Sequence, residues 1–372
     1  VGLRVSVALF LAPLALQGAT VDGVVYTNLT RPGPIEIHFV RIPRRDASLE
    51  FRSIHSGGKA IGRSPVSEQI KRLASGTPIA AINGDFFQLE GAFAGDPRGL
   101  QIVNGVLVSA PSGNGSFWID SAGAPHIAST RSGLRITWPN GSSMPLVLNA
   151  PCGTNEMALY SPDMDSPRTE NVAREFILVP KGGATNATLR AGSAYSMEVL
   201  NIREPSNVPI APGAFALDLG TTAVKSAPEV RVGAVVKIST ATTPRLYDAV
   251  TAVGGGPILV IGGKRQRFDK AESDAFRHRF MVEKHPRTAL GWSEQEFFWV
   301  EVDGRHQNSV GMTLNELGEL MIELGCVEAM NLDGGGSSTL WFDGKVRNRP
   351  SDGAERPVAN SLAVVRKPAP AR

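Results

Sequence analysis

Three consecutive glycines, Gly334, Gly335 and Gly336, stand between an acid, Asp333, and two hydroxyls, Ser337 and Ser338, in the run MNLDGGGSSTLWF at 330–342. Glycine lets the backbone reach φ > 0 and approach other atoms closely. Successive N–H groups in such a turn can form an anion-binding nest. The order of elements limits what this turn can serve. A helical run and then a strand precede it, and a strand follows. A phosphate site of the P-loop or Rossmann kind needs strand, glycines, then helix. No Gly-x-Ser-x-Gly elbow is present, so neither serine reads as a triad nucleophile. Two readings stay open: a tight turn whose glycines serve geometry alone, or an anion site with a reactive carboxylate at its rim.

The rest of the chain reads as short strands punctuated by turns. Among 372 residues there are 40 glycines and 26 prolines but only 6% aromatics, a composition of β-rich folds with many turns. The expected fold class is α+β: a mixed, mostly antiparallel β-sheet core with few helices, in a single large domain at 20–366. Residues 367–372 form a tail. Residues 1–19 read differently, with Arg4, an apolar run at 5–16 and then Gly18 and Ala19. That pattern is a secretory signal, too short for the roughly 20 residues of a membrane span, with an uncleaved anchor as the alternative. The expected location is secreted, periplasmic or in the cell envelope. A net charge of +3 without a Lys/Arg block gives no reason to expect nucleic acid. Cys152 and Cys326 either pair in an oxidising compartment or stay separate buried thiols.

In chain order, 34–42 alternates as a half-buried strand, 67–74 is a short helix, and 77–87 is a buried strand ending in Asn83-Gly84-Asp85-Phe86-Phe87. Asn104-Gly105 marks a hairpin. The loop 152–170 reads as a polar surface excursion, and Asp218, a lone acid in an apolar run, as a turn cap. Strand, glycine turn and strand follow at 252–264. The spacing predicts a helix from Thr313, with a Thr313/Glu316 capping box and Gly325 as its C-terminal cap. Asp85 and Asp333 each follow a short apolar strand, and the two strands are expected to be neighbours opening on one cleft.

The segments AINGDFF, GGGP, HPRTALGW, VDGR, GMTLNELGELMIELG, NLDGGGSSTLWFDGKVRNRP and ERPVANSLAV, taken in this order, resemble the phosphodiester glycosidase family. That family includes the lysosomal enzyme that removes N-acetylglucosamine from phosphorylated mannose. The resemblance is dense at 252–365 and thinner at 80–111. It implies hydrolysis of a sugar-1-phosphodiester between the anomeric carbon and oxygen, releasing a sugar such as N-acetylglucosamine and a phosphomonoester, with no organic cofactor. Bacterial relatives imply a role in envelope or exopolysaccharide metabolism.

A phosphate leaving group, with a second pKa of roughly 6, departs with little acid help. The site must hold an anion and stabilise an oxocarbenium-like centre. Arg287, Arg305 and Arg356 suit the first task because a guanidinium matches phosphate oxygens bidentately, with Thr288, Gly334, Gly335, Gly336, Ser337 and Ser338 around the anion. For the second, Asp333 is the first choice, then Asp303 and Asp85, with His285 as an acid or base near neutrality. Asn83 and Asn360 are candidates for sugar hydroxyls, or pin turns; Arg349 and Asp352 are rim candidates. Two other classes compete. One is a non-catalytic envelope protein that binds an anionic glycan through the same nest and arginines. The other is a metal-assisted phosphodiesterase using Asp85, Asp303, Asp333 and His285, which lacks any HxH or DxD spacing. Neither the sugar nor the oligomeric state is encoded legibly.

Overall fold

The computed structural model describes residues 17–168, 170–183, 187–268 and 278–368. Residues 1–16, most of the signal-like segment, lie outside them. Residues 17–19 do not, because strand Gln17–Val21 pairs with Val24–Arg31. Three sheets make up the α+β fold, and the strand pairs are antiparallel except for Val147–Leu148 against Met157–Tyr160. An eight-stranded sheet runs in the order Gln17–Val21, Val24–Arg31, Ile35–Pro43, Glu296–Val302, Arg287–Trp292, Glu328–Asn331, Ile258–Ile261, Lys264–Arg265. A five-stranded sheet runs Lys345–Val346, Leu340–Phe342, Thr77–Asn83, Asn360–Arg366, Leu49–His55. A twelve-stranded sheet holds most of 101–254.

Strand alternation explains the layering. In Glu296–Val302 the side chains of Phe297 and Trp299 join a core with Ile79, Ile82, Leu340 and Leu362 of the five-stranded sheet. Phe298, Val300 and Val302 point the other way, into a core with Leu314, Leu317, Leu320 and Met321 of the helix Leu314–Glu323. That helix starts at the expected capping box, Thr313 accepting from the Glu316 N–H and Glu316 accepting from the Thr313 N–H. It stops before Gly325, whose φ of +86° is open to glycine at little cost. Asn104 and Gly105 both adopt positive φ between Gln101–Val103 and Val106–Ser109, the geometry of a two-residue hairpin turn.

Three expectations change. Thr77–Asn83 and Glu328–Asn331, which lead to Asp85 and Asp333, are not neighbours; they lie in different sheets. The segment 152–170 is not wholly a surface excursion, since Met157–Tyr160 is a buried strand. Asp218 caps no turn: it sits inside the buried strand Phe215–Gly220, in register with Glu175, which Arg203 contacts. Cys152 and Cys326 are both free and buried.

The two sheets that carry the acids meet at Asn83. Its Nδ2 donates to the Asp333 carbonyl at 2.8 Å, and its Oδ1 accepts from Thr288 Oγ1 at 2.7 Å and the Thr339 N–H at 3.0 Å. A closing bond runs from the Asp333 N–H to the Gly84 carbonyl at 3.0 Å. Removing the amide strands buried donors from both sheets, and each unsatisfied group costs about 1–3 kcal/mol. Asn83→Ala is expected to lower unfolding free energy by about 2–4 kcal/mol, measured by chemical denaturation; a loss under about 0.5 kcal/mol, less than a single typical hydrogen bond, would show that the junction does not depend on it.

Candidate active site

The loop after Glu328–Asn331 is held from both sides before it delivers Asp333. Asn331 donates through Nδ2 to the Gly256 carbonyl at 2.9 Å and accepts the Gly256 N–H on its own carbonyl at 2.6 Å. The glycine turn of 252–264 therefore braces the acid loop, and Gly255 is packed so closely that a Cβ would lie 2.8 Å from the Asn331 carbonyl oxygen. Downstream, the glycines do not form the expected open nest. The Gly334 N–H goes to Asp333 Oδ1 at 2.8 Å and the Gly335 N–H to the Pro286 carbonyl at 2.9 Å. Their use is close approach: a Cβ on Gly336 would lie 2.0 Å from Arg356 Nη2 and 2.2 Å from Asp352 Oδ2.

The result is a cleft of about 450 Å³ lined by Asp333, Gly334, Gly335, Gly336, His285, Arg305 and Arg356, together with Phe86, Arg279, Phe280 and Glu283. Arg356 is held by Asp352 through Nε at 2.8 Å and Nη2 at 2.7 Å. Arg305 lies over Gly335, with Nη2 3.4 Å from His285 Nδ1, and its φ is +64°. Among the described residues it forms no ion pair, so its charge faces the cleft without a bonded acid. His285 Nε2 lies 3.6 Å from Glu283 Oε2. Burial and the charges of Arg287 and Arg305 lower the His285 pKa, so the ring is neutral at neutral pH.

Two acids end up in contrasting surroundings. Burial raises the Asp333 pKa to about 6, opposed by the Ser337 hydroxyl, the Gly334 N–H and the charges of Arg356 and Arg98. Asp85 is 2% exposed and sits beneath the cleft, against Gly99 and Gly254, where a Cβ would come within 2.9 Å and 2.4 Å of its Oδ2. Burial, with a contribution from the Asp333 charge, raises its pKa to about 8, despite the N–H groups of Phe86 and Gly99. Asp333 is therefore ionised and Asp85 protonated near pH 7.

Several expected ligands serve the scaffold instead. Asn83 and Thr288 are spent at the sheet junction. Asn360 is fully buried, accepting from the Asp85 N–H at 2.8 Å and donating to Gln101 at 3.2 Å. Arg287 is also fully buried, with Nε on the Met312 carbonyl at 2.8 Å and Nη2 on those of Phe280 and Glu283 at 2.6 and 2.9 Å. It braces the helix His278–Val282 behind the cleft wall. Ser337 and Ser338 are buried under the turn. Asp303 faces a different pocket, with His38, His306 and Arg349. The cleft residues that sequence reasoning passed over are Phe86, Arg279, Phe280 and Glu283; only Phe86, inside AINGDFF, and Glu283, two residues before His285, carried a signal.

A family model described as phosphodiester glycosidase matches residues 185–365, which hold Asp333, His285, Arg305 and Arg356 but not Phe86 or Asp85. An uncharacterized SPbeta prophage-derived protein of Bacillus subtilis is 43% identical over 82 residues, 22% of this chain and 13% of that protein. The N-acetylglucosamine-1-phosphodiester alpha-N-acetylglucosaminidase of Bos taurus is 29% identical over 108 residues, 29% of this chain and 20% of that enzyme. The chain thus spans a fifth or less of the length of these two curated relatives. A hypothetical protein from Synechocystis shares the fold, with a TM-score of 0.75 at 19% identity, covering 96% of this chain and 64% of that one. Among the described residues no helix is long and apolar enough to cross a membrane.

The raised Asp85 pKa has a stability consequence. An aspartate carboxyl ordinarily titrates at 3.8, and folding moves this one to about 8. It keeps its proton in the native state while the unfolded chain loses it, so stability falls as pH rises between those values. Asp85→Asn is expected to flatten that decline, so that the wild-type and variant stability curves diverge by a few kcal/mol from about pH 5 to about pH 8; parallel curves would place an ionised carboxylate at 85.

Proposed function

Residues 185–365 belong to the phosphodiester glycosidase family, and from that premise we propose that this chain hydrolyses a sugar-1-phosphodiester at the Asp333 cleft. The observation that carries the reading is the meeting of the Asp333 carboxylate with Arg305 and Arg356 in a space of about 450 Å³, where the third arginine, Arg279, pairs with Glu283. The phosphate seats against Arg305 and Arg356, whose guanidinium forks match its oxygens. Asp333 faces the anomeric carbon, as nucleophile or as base for water, and stabilises the positive charge that develops there. Phosphate leaves as a weakly basic anion, so the neutral His285 is not required to donate a full proton to it. Phe86 and Phe280, whose rings meet at 5.5 Å, form an apolar wall of the kind that sugar faces pack against. The substrate class includes N-acetylglucosamine-1-phosphodiesters of an anionic glycan, and the apolar run at 5–16 supports export and an envelope or exopolysaccharide role.

Turnover of a simple N-acetylglucosamine-1-phosphodiester tests this. Wild-type protein is expected to release free sugar, and Asp333→Asn to lose on the order of 10²–10⁴-fold in kcat/KM. The wild-type profile is expected to rise through about pH 6, because the ionised carboxylate is the active form. Full activity in Asp333→Asn, or a profile that falls across that interval, would remove Asp333 from this role.

A further inference from the structure

The pocket that took Asp303 away from the cleft has a composition of its own. Alternation along Glu296–Val302 and one residue beyond puts Glu301 and Asp303 on the same face. Antiparallel register with Ile35–Pro43 places His38 directly opposite Glu301. The three side chains bring one ligand atom each to within 4.8 Å of one another, and His38 Nε2 lies 3.6 Å from Asp303 Oδ2. Two acids are thus buried side by side, Glu301 at 1% and Asp303 at 5% exposure. Among the described residues neither pairs with a lysine or arginine. Arg347, which lines that pocket, stacks over the Tyr26 and Phe342 rings and donates to the Phe342 carbonyl, and Arg349 offers Asp303 Oδ1 its backbone N–H at 2.9 Å.

A second observation comes from Glu301. Both of its carboxylate oxygens are buried without a well-formed hydrogen bond; their polar neighbours are the Asn348 side chain and the second acid, Asp303, an expensive arrangement for an acid in a core. His38 supplies a third. Its Nδ1 lies 2.8 Å from the Tyr26 hydroxyl and 3.3 Å from Asn28 Nδ2, and these two partners fix the ring with Nε2 turned toward the acids. Metal-bound histidines are likewise oriented by outer partners at the second ring nitrogen.

We propose that His38, Glu301 and Asp303 bind a divalent cation of the first transition row, such as Mn²⁺ or Zn²⁺. One imidazole and two carboxylates are a nitrogen–oxygen donor set suited to those ions, and the pocket of about 250 Å³ outside them admits the waters that complete the coordination. The cation joins two edges of the structure. Asp303 leads through Gly304 into Arg305, and it also holds the backbone of Arg349, which follows the Asn348 that donates to the Ser338 carbonyl and accepts from the Leu340 N–H. The site is structural, lies outside the Asp333 cleft, and stands or falls separately from the proposed reaction.

The test uses the full chain, stripped with chelator and titrated with MnCl₂ or ZnCl₂ by calorimetry and thermal denaturation. One equivalent is expected to bind and raise the melting temperature. Glu301→Gln and His38→Gln are expected to abolish both effects, and the milder Tyr26→Phe, which removes no ligand, to weaken binding by about 10–100-fold. Equal binding by wild type and all three variants would mean an adventitious surface site and overturn the proposal. So would a wild type that binds neither ion, with a Glu301→Gln variant at least as stable; Glu301 and Asp303 would then share a proton.

Discussion

One buried amide, that of Asn83, holds the Asp333 cleft in place. At the end of its own strand in the five-stranded sheet, it accepts from the Thr288 hydroxyl of the eight-stranded sheet and from the Thr339 N–H, and it donates to the Asp333 carbonyl. Both sheets are continuous apolar layers on either side, so the amide fixes the end of one against the other. The position of Asp333 is therefore a property of the sheet packing, and the cleft is only as well defined as this junction.

Around that junction the protein separates two carboxyls by environment. Asp333 faces arginine charge and a serine hydroxyl and stays close to ionisable at neutrality, whereas Asp85 is sealed between glycines and keeps its proton. The glycines explain how such crowding is possible. At Gly99, Gly254 and Gly336 the space for a side chain is already filled by an acid or a guanidinium. These are positions of close approach, at which any larger residue would displace a functional group.

Much of this was legible in the sequence, and the failures have a common cause. Local signals held: the Asn104-Gly105 turn, the Thr313 capping box and the strand, glycine, strand order around 333 are set by neighbours in the chain. The motif segments also marked the loops that form the cleft. What the sequence did not disclose was facing. Arg287 and Thr288 are adjacent and so point to opposite faces of one strand, Thr288 to the sheet junction and Arg287 to the helix side, where it holds carbonyls. Asp303 shares its face with Glu301 and so turns toward His38. Asn83 and Asn360 look like sugar ligands by type, yet burial commits every polar side-chain atom of Asn83 to the scaffold. Strand neighbours across sheets depend on long-range packing, which is why the strands leading to Asp85 and Asp333 were expected side by side and instead lie in different sheets.

The fate of solvent oxygen shows which bond breaks in this cleft. In the proposed reaction Asp333 acts at the anomeric carbon, and the phosphate held by Arg305 and Arg356 is the leaving group. When the chain hydrolyses a sugar-1-phosphodiester in water enriched in heavy oxygen, the label is predicted to enter the sugar and leave the phosphomonoester unlabelled. Label in the phosphate would mean that the P–O bond breaks and that this cleft does not house a glycosidase.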